Sequence, residues 1–318
     1  ESFIYDSNSL DSLVSKYVDN GSQALLLVRL EDRNGKTIYQ NSDKNNELIS
    51  NHDINENTWF RIWSMSKIVT ISITMDLVED GLLKLDDPVS KYIPELTNLK
   101  VALSNNNEAL TNYGQTLEND NSDLQDPCPL KLVESNSEMT VLQLINHQAG
   151  FYYSTTGIEC LDNSLNSKNL AASKNSDELI QKLSELPLID YPGNKHFYGL
   201  NTTVLGVVNE RASGESLRNL VKNRITEPMN IKGLQYNKNS DIKLLPVYSG
   251  VDSIIRLANE GELDIMGSYV PGYGFDNELF MGGEGMIATA DGYADFLRML
   301  LNHGELNGHR FLNESSVK

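Results

Sequence analysis

Cysteine, tryptophan and basic side chains are the scarce residues of this chain. Two cysteines, Cys128 and Cys160, occur in 318 residues, too few for a disulfide-stapled scaffold. In an oxidising compartment they would close one bridge. In a reducing one they would be two small hydrophobes, and both readings stay open. The histidines, at positions 52, 147, 196, 303 and 309, are scattered without the spacing of a zinc site, so neither a metal nor another cofactor is expected. Lys and Arg number 26 against 44 Asp and Glu, a net charge of −18. A field of that sign repels phosphate backbones and anionic bilayers, which argues against nucleic-acid and membrane-surface partners. Long apolar runs are missing too: none approaches the roughly 20 residues needed to span a bilayer. What remains, 39% hydrophobic and 22% charged residues, is enough to build a core. The length allows two lobes. The chain opens at Glu1 rather than Met, which fits a removed leader and a secreted or periplasmic location, with the cytoplasm as the alternative.

Along the chain, Leu10, Leu13, Val14, Tyr17 and Val18 recur at helical spacing after a serine cap, and Asn20-Gly21 ends the pattern. Two apolar runs, Gln23 to Leu30 and Thr37 to Tyr39, flank an Asn34-Gly35 turn and predict a β-hairpin. From Ser64 to Gly81 a helix is expected, with Ile68, Ile71, Met75 and Val78 on its apolar face. Residues 97–138 read as a loop-rich insertion, with Asn105-Asn106-Asn107 and Asn119-Asp120-Asn121 within it. Helical patterns return at Thr140–His147, Asn201–Ala212 and Glu215–Ile225. A last one follows Thr289 as cap, through Tyr293, Phe296, Leu297, Leu300 and Leu301. The expected architecture is α/β: an antiparallel sheet flanked by helices, with an inserted, mostly helical lobe. On that reading residues 1–75 form the sheet lobe, 76–280 the helical lobe, and 281–318 return to the first.

Chemistry concentrates at Ser64-Met65-Ser66-Lys67. A serine and a lysine three apart in the first helical turn share one face. The helix N-terminus favours negative charge developing on Ser64 Oγ, while dipole and burial disfavour a protonated amine on Lys67 and suit it to general-base work. By itself the spacing also suits a capping serine and a solvated lysine. The preceding Trp59, Phe60, Ile62 and Trp63 favour a buried helix start, where a lysine needs a partner.

Several ordered segments carry a resemblance. They are Phe60-Arg61-Ile62-Trp63-Ser64-Met65-Ser66-Lys67, the stretch Leu77 to Val89, Met139-Thr140-Val141-Leu142-Gln143-Leu144-Ile145-Asn146-His147-Gln148-Ala149-Gly150, Pro192 to Leu200, Glu227-Pro228-Met229-Asn230, and Gly282-Gly283-Glu284-Gly285-Met286. Together they resemble the serine β-lactamase-like superfamily, in its class C, esterase–transesterase and D-amino-acid peptidase branch. The resemblance implies Ser64 as acylated nucleophile, Lys67 as its base partner and Tyr198 as the hydroxyl sharing proton transfer. It also implies the Ser64 backbone N–H as one oxyanion donor. Tyr152, Tyr153, Asn201 and Gly283 are candidate substrate contacts, and His147 a core hydrogen-bonding residue. The three reacting groups would meet in a cleft between the lobes.

Two departures refine that expectation. Lactamases of class C carry Tyr-x-Asn, whereas Leu200 stands in the third position here. Without that amide, a substrate amide carbonyl loses a hydrogen bond worth roughly 1–3 kcal/mol, which favours ester chemistry. The second concerns the family's Lys/His/Trp-x-Gly strand, which does not occur after Gly285. It is expected beyond Lys318 together with the second oxyanion donor and the C-terminal strands. A further C-terminal segment or a second polypeptide would then complete the sheet. The substrate expected is a small ester or amide. The function expected is a carboxylesterase or transesterase, with a β-lactamase or D-alanyl-D-alanine carboxypeptidase, and then a non-catalytic binding or sensing protein, as alternatives.

Overall fold

The structure, a computed structural model, describes residues 6–113, 127–250, 253–259, 262 and 276–318. It is a mixed α/β fold of small antiparallel sheets and helices that divides into two units. The first takes Glu1–Arg61, Ile225–Leu263 and Ile287–Lys318, and the second Ile62–Arg224 and Asp264–Met286. The lines therefore fall near 61, 224 and 286 rather than at 75 and 280.

In the first unit the helix Ser7–Asp19 is capped by the Asp6 side chain, which accepts from the Asn8 N–H. It lays Val14 and Val18 against the hairpin of Leu25–Glu31 and Thr37–Lys44. That hairpin pairs Leu25 with Lys44 and Leu30 with Tyr39, with a bulge at Leu30/Glu31. The Tyr39 hydroxyl donates to Asp11 at 2.8 Å, tying helix to strand. A small three-stranded sheet sets Ile287–Ala288 between Phe60–Arg61 and Leu234–Gln235. Thr289 then caps the helix Ala290–Leu301, as its sequence predicts.

The second unit is built on the helix Ser66–Glu79, which packs against Asn201–Ser213. The predicted apolar face is not the buried one. Ile68 is 44% exposed, while Val69, Ile73 and Leu77 are buried together with Ser66, Lys67, Thr70, Ser72 and Thr74. A helix enclosed on this side can bury hydroxyls where they find partners. Thr70 Oγ1 donates to the Gly282 carbonyl at 2.7 Å, Thr74 Oγ1 to Asn209 Oδ1 at 3.0 Å, and Asn209 Nδ2 to the Thr70 carbonyl at 3.1 Å. Hydrogen bonding thus outweighs the periodicity of the larger side chains.

The stretch read as a loop-rich insertion holds more order than its composition suggests. Lys100–Leu103 pairs antiparallel with Lys131–Glu134, and Val101, Ala102 and Leu110 are buried. Few apolar residues suffice where each is wholly enclosed. The expected loop at Asn119-Asp120-Asn121 lies outside the described residues. Two helices not foreseen, Glu159–Asn166 and Ser176–Leu183, follow, and Asn175 caps the second by accepting from the Glu178 N–H at 3.0 Å. Their short lengths give too few turns for the apolar period to stand out.

Cys128 and Cys160 form a disulfide with Cα atoms 6.3 Å apart, resolving the open reading in favour of the bridge. Closing a loop of this length restricts the unfolded chain by about 4 kcal/mol. The double variant Cys128→Ala/Cys160→Ala is expected to lose stability of that order in urea unfolding. An unchanged midpoint would show that the bridge contributes nothing.

Candidate active site

The site grows from a sharp turn. Trp63 adopts a left-handed backbone with φ of +44°, a conformation that costs of order 1–3 kcal/mol for a bulky residue. Backbone anchors hold it: the Ile62 N–H donates to the Met286 carbonyl at 3.2 Å, and the Met286 N–H to Ser66 Oγ at 3.2 Å. The turn leaves Ser64 exposed at the helix start and sends Lys67 inward.

The structure brings together the three residues singled out as catalytic. Lys67 Nζ donates to Ser64 Oγ at 3.0 Å, and the Tyr198 hydroxyl reaches the same oxygen at 2.7 Å. Lys67 Nζ also lies 4.9 Å from the centre of the Tyr198 ring, within cation–π range. Two further acceptors complete its shell, Tyr153 Oη at 3.1 Å and the Gly283 carbonyl at 3.1 Å. An ammonium has three N–H donors, and here each has an acceptor. Serine oxygen between an amine and a phenol can lose its proton to one and regain one from the other.

Tyr198 is aimed by its neighbours. The His147 ring stacks on it with centroids 4.8 Å apart and planes 25° apart. The Phe197 N–H donates to the His147 carbonyl at 2.8 Å. Gly199 must be glycine at this point, because a Cβ would lie 2.3 Å from the Phe151 carbonyl oxygen and 2.4 Å from Tyr152 Cα. Burial, then the charge of Lys67, then His196, push the His147 imidazole down to about 4, so it is neutral at pH 7. Its Nδ1 accepts from the Gly199 N–H at 3.4 Å, which places its proton on Nε2, facing Thr202 Oγ1 at 3.5 Å. This is the core hydrogen-bonding role expected of it.

The candidate substrate contacts fare differently. Asn201 is wholly buried. Its Nδ2 lies 3.2 Å from His147 Nδ1 and donates to the Phe151 and Phe197 carbonyls, while its Oδ1 accepts from the Ala149 N–H. It holds loops together and faces no substrate space. Tyr152 is buried as well, its hydroxyl without a hydrogen-bond partner, and burial raises that hydroxyl above the ordinary phenol range. Gly283 is buried and supports Lys67 through its carbonyl; a Cβ there would meet Thr203 Oγ1 at 2.7 Å. Tyr153 belongs to the inner shell of Lys67 instead of an open surface. The lysine claims Tyr153 and Gly283, and the loops behind Tyr198 claim Asn201.

One residue escaped sequence reasoning. Glu284 is buried, accepts from Thr203 Oγ1 at 2.8 Å and from the Tyr153 hydroxyl, and places a carboxylate oxygen 3.7 Å from Lys67 Nζ. The signal was present: a lone carboxylate in the apolar, glycine-rich run from Phe280 to Ala288 has to be buried, and a buried carboxylate needs a cation. Among the described residues no cluster of His, Cys, Asp and Glu is arranged to hold a metal ion, and no helix is long and apolar enough to cross a membrane.

Comparison with known proteins shows the family. The family model described as Beta-lactamase matches residues 10–318. Protein Rv1367c of Mycobacterium tuberculosis is 27% identical over 263 residues, 82% of this chain and 58% of that protein. The chain thus spans little more than half the length of that relative. Lovastatin esterase of Penicillium rubens is 27% identical over 309 residues, covering 93% of this chain and 69% of the esterase. Among solved structures, EstCE1, a hydrolase with promiscuous acyltransferase activity, superposes with a TM-score of 0.72 at 19% identity. That match covers 98% of this chain and 75% of EstCE1, and shows the likeness of fold.

The neutral, buried His147 has a pH signature. Its folded value lies below its unfolded value of 6.5, so the unfolded chain binds the extra proton. Its contribution is complete above pH 6.5 and is lost as pH falls towards about 4, a change on the order of 2–3 kcal/mol. The stability difference between the wild type and His147→Gln, measured by urea unfolding, is expected to shrink by that amount across this window. A difference constant with pH would refute the assignment.

Proposed function

The chain belongs to the Beta-lactamase family, and within it we propose a serine hydrolase that forms an acyl-enzyme at Ser64 and acts on small acyl esters as a carboxylesterase or transesterase. The observation that carries this reading is Ser64 Oγ held between Lys67 Nζ at 3.0 Å and Tyr198 Oη at 2.7 Å. Lys67 takes the serine proton as Oγ attacks the ester carbonyl. The Ser64 backbone N–H supports the oxyanion. Tyr198, 46% exposed, delivers a proton to the departing alkoxide, and deacylation by water or an alcohol runs the same steps in reverse.

Preference for esters over lactams has three supports. Leu200 is buried where an amide would contact a substrate carbonyl, and Asn201 is fully engaged by His147 and the backbone. The net charge of −18 opposes the approach of anionic β-lactams and leaves neutral esters unaffected. A relative named as an esterase matches over 93% of the chain.

The test is a panel of p-nitrophenyl acyl esters, nitrocefin and D-amino-acid peptides on the full-length protein. Ester turnover and fluorophosphonate labelling are expected, both abolished in Ser64→Ala. In Tyr198→Phe, kcat is expected to fall by about 100-fold or more. Nitrocefin turnover matching that of the esters would overturn the ester preference, and absence of both labelling and turnover would overturn the hydrolase reading.

A further inference from the structure

A lysine can serve as general base only after it has lost a proton, and Lys67 sits where all three of its N–H directions are occupied. Of its three acceptors, Tyr153 leads on to a carboxylate. The Tyr153 hydroxyl accepts from Lys67 Nζ at 3.1 Å and donates in turn to Glu284. We propose that Glu284 is the internal proton acceptor that converts Lys67 to a neutral amine, with the Tyr153 hydroxyl as the bridge between them. The inference rests on the acyl-transfer reading of Ser64 given above.

The step balances within the three side chains. An N–H bond of Lys67 breaks as an O–H bond forms on Tyr153, whose original O–H breaks as one forms on Glu284. Ammonium and carboxylate become amine and carboxylic acid, with no proton drawn from solvent. The amine then turns about its Cε–Nζ bond to present its lone pair to Ser64 Oγ.

The surroundings favour this exchange. Lys67 is 7% exposed and Glu284 1%, and burial penalises a pair of charges far more than the neutral pair formed from it. Burial first, then the Glu284 carboxylate and Tyr198, keep the Tyr153 phenol well above its ordinary range, so it passes a proton without holding a charge. Glu284 is faced by Lys67 from the helix Ser66–Glu79, by Tyr153, and by Thr203 from the helix Asn201–Ser213. The Tyr198 ring lies 5.7 Å from that of Tyr153. Protonation of Glu284 on the oxygen facing Tyr153 leaves the other oxygen free to go on accepting from the Thr203 hydroxyl. Glu284 acts through Lys67 and is therefore a positioning residue.

The pH profile of kcat/KM for a p-nitrophenyl ester distinguishes this role from that of a plain counterion. A proton shared inside the pair gives the wild type a flat profile between about pH 6 and 9. In Glu284→Gln and in Tyr153→Phe the proton must leave to solvent. The rate should then climb about tenfold per pH unit through that range, from about 100-fold below wild type at pH 7. Thermal melts report whether each variant folds, and Tyr153→Phe, which keeps the carboxylate, carries the test if Glu284→Gln does not fold. Profiles parallel to wild type in the folded variants would overturn the proposal. So would a sloped wild-type profile that Glu284→Gln moves to lower pH, the mark of a counterion alone. Loss of ester turnover and of labelling in the wild type would instead indict the acyl-transfer reading, which keeps the two failures apart.

Discussion

The reacting groups of the second unit are arranged around one buried lysine. Lys67 is taken out of water, and the cost of doing so is several kcal/mol unless each donor finds an acceptor and the charge finds a counter-charge. The fold meets that requirement with four groups from three segments of the chain. The serine comes from the turn that leads into the lysine's helix, the phenol of Tyr153 from a loop, the carbonyl of Gly283 from a glycine-rich turn, and the carboxylate of Glu284 from the next residue. A residue that has to be reached by so many segments fixes their mutual positions. The close approach of Gly206 to Gly282, where a Cβ would sit 3.1 Å from the opposing Cα, follows from the need to bring that turn against the helices.

This explains which parts were legible in the sequence. The Ser64–Lys67 spacing is local, set by helical geometry, and needs no tertiary knowledge. The hairpin and the Thr289-capped helix are likewise carried by short-range patterns and emerge as expected. Tyr198 required the resemblance, because an isolated tyrosine followed by glycine has no local feature that separates a reacting phenol from a packing aromatic. Glu284 was the least legible, since its partner Lys67 is more than two hundred residues away and only burial joins them. The misread helix face has the same origin. Side-chain size points to Ile68 and Met75, but the hydroxyls of Thr70 and Thr74 are worth burying once Gly282 and Asn209 are opposite them.

The candidate substrate contacts share a buried setting. Tyr152, Tyr153, Asn201 and Gly283 are the candidates, and two of them, Tyr153 and Gly283, touch Lys67. They serve the interior. Asn201 and His147 stabilise the loops behind Tyr198, and Gly283 and Tyr153 receive the lysine. A residue beside an active group has two uses for its polar atoms, contact with substrate or support of the group, and burial decides between them.

The site is split between a wet face and a dry interior. Ser64, Met65, Ile68 and the edge of Tyr198 are open to solvent, whereas Lys67, Tyr153, Thr203 and Glu284 are enclosed. Side chains on the open face touch few neighbours, so exchanging them perturbs little else, while any change in the enclosed set disturbs every member. Variation in what the serine meets can accumulate over generations without revising how protons are handled beneath it. A lineage built on this plan would diversify from its surface inward, and the inner quartet would be the last thing to drift.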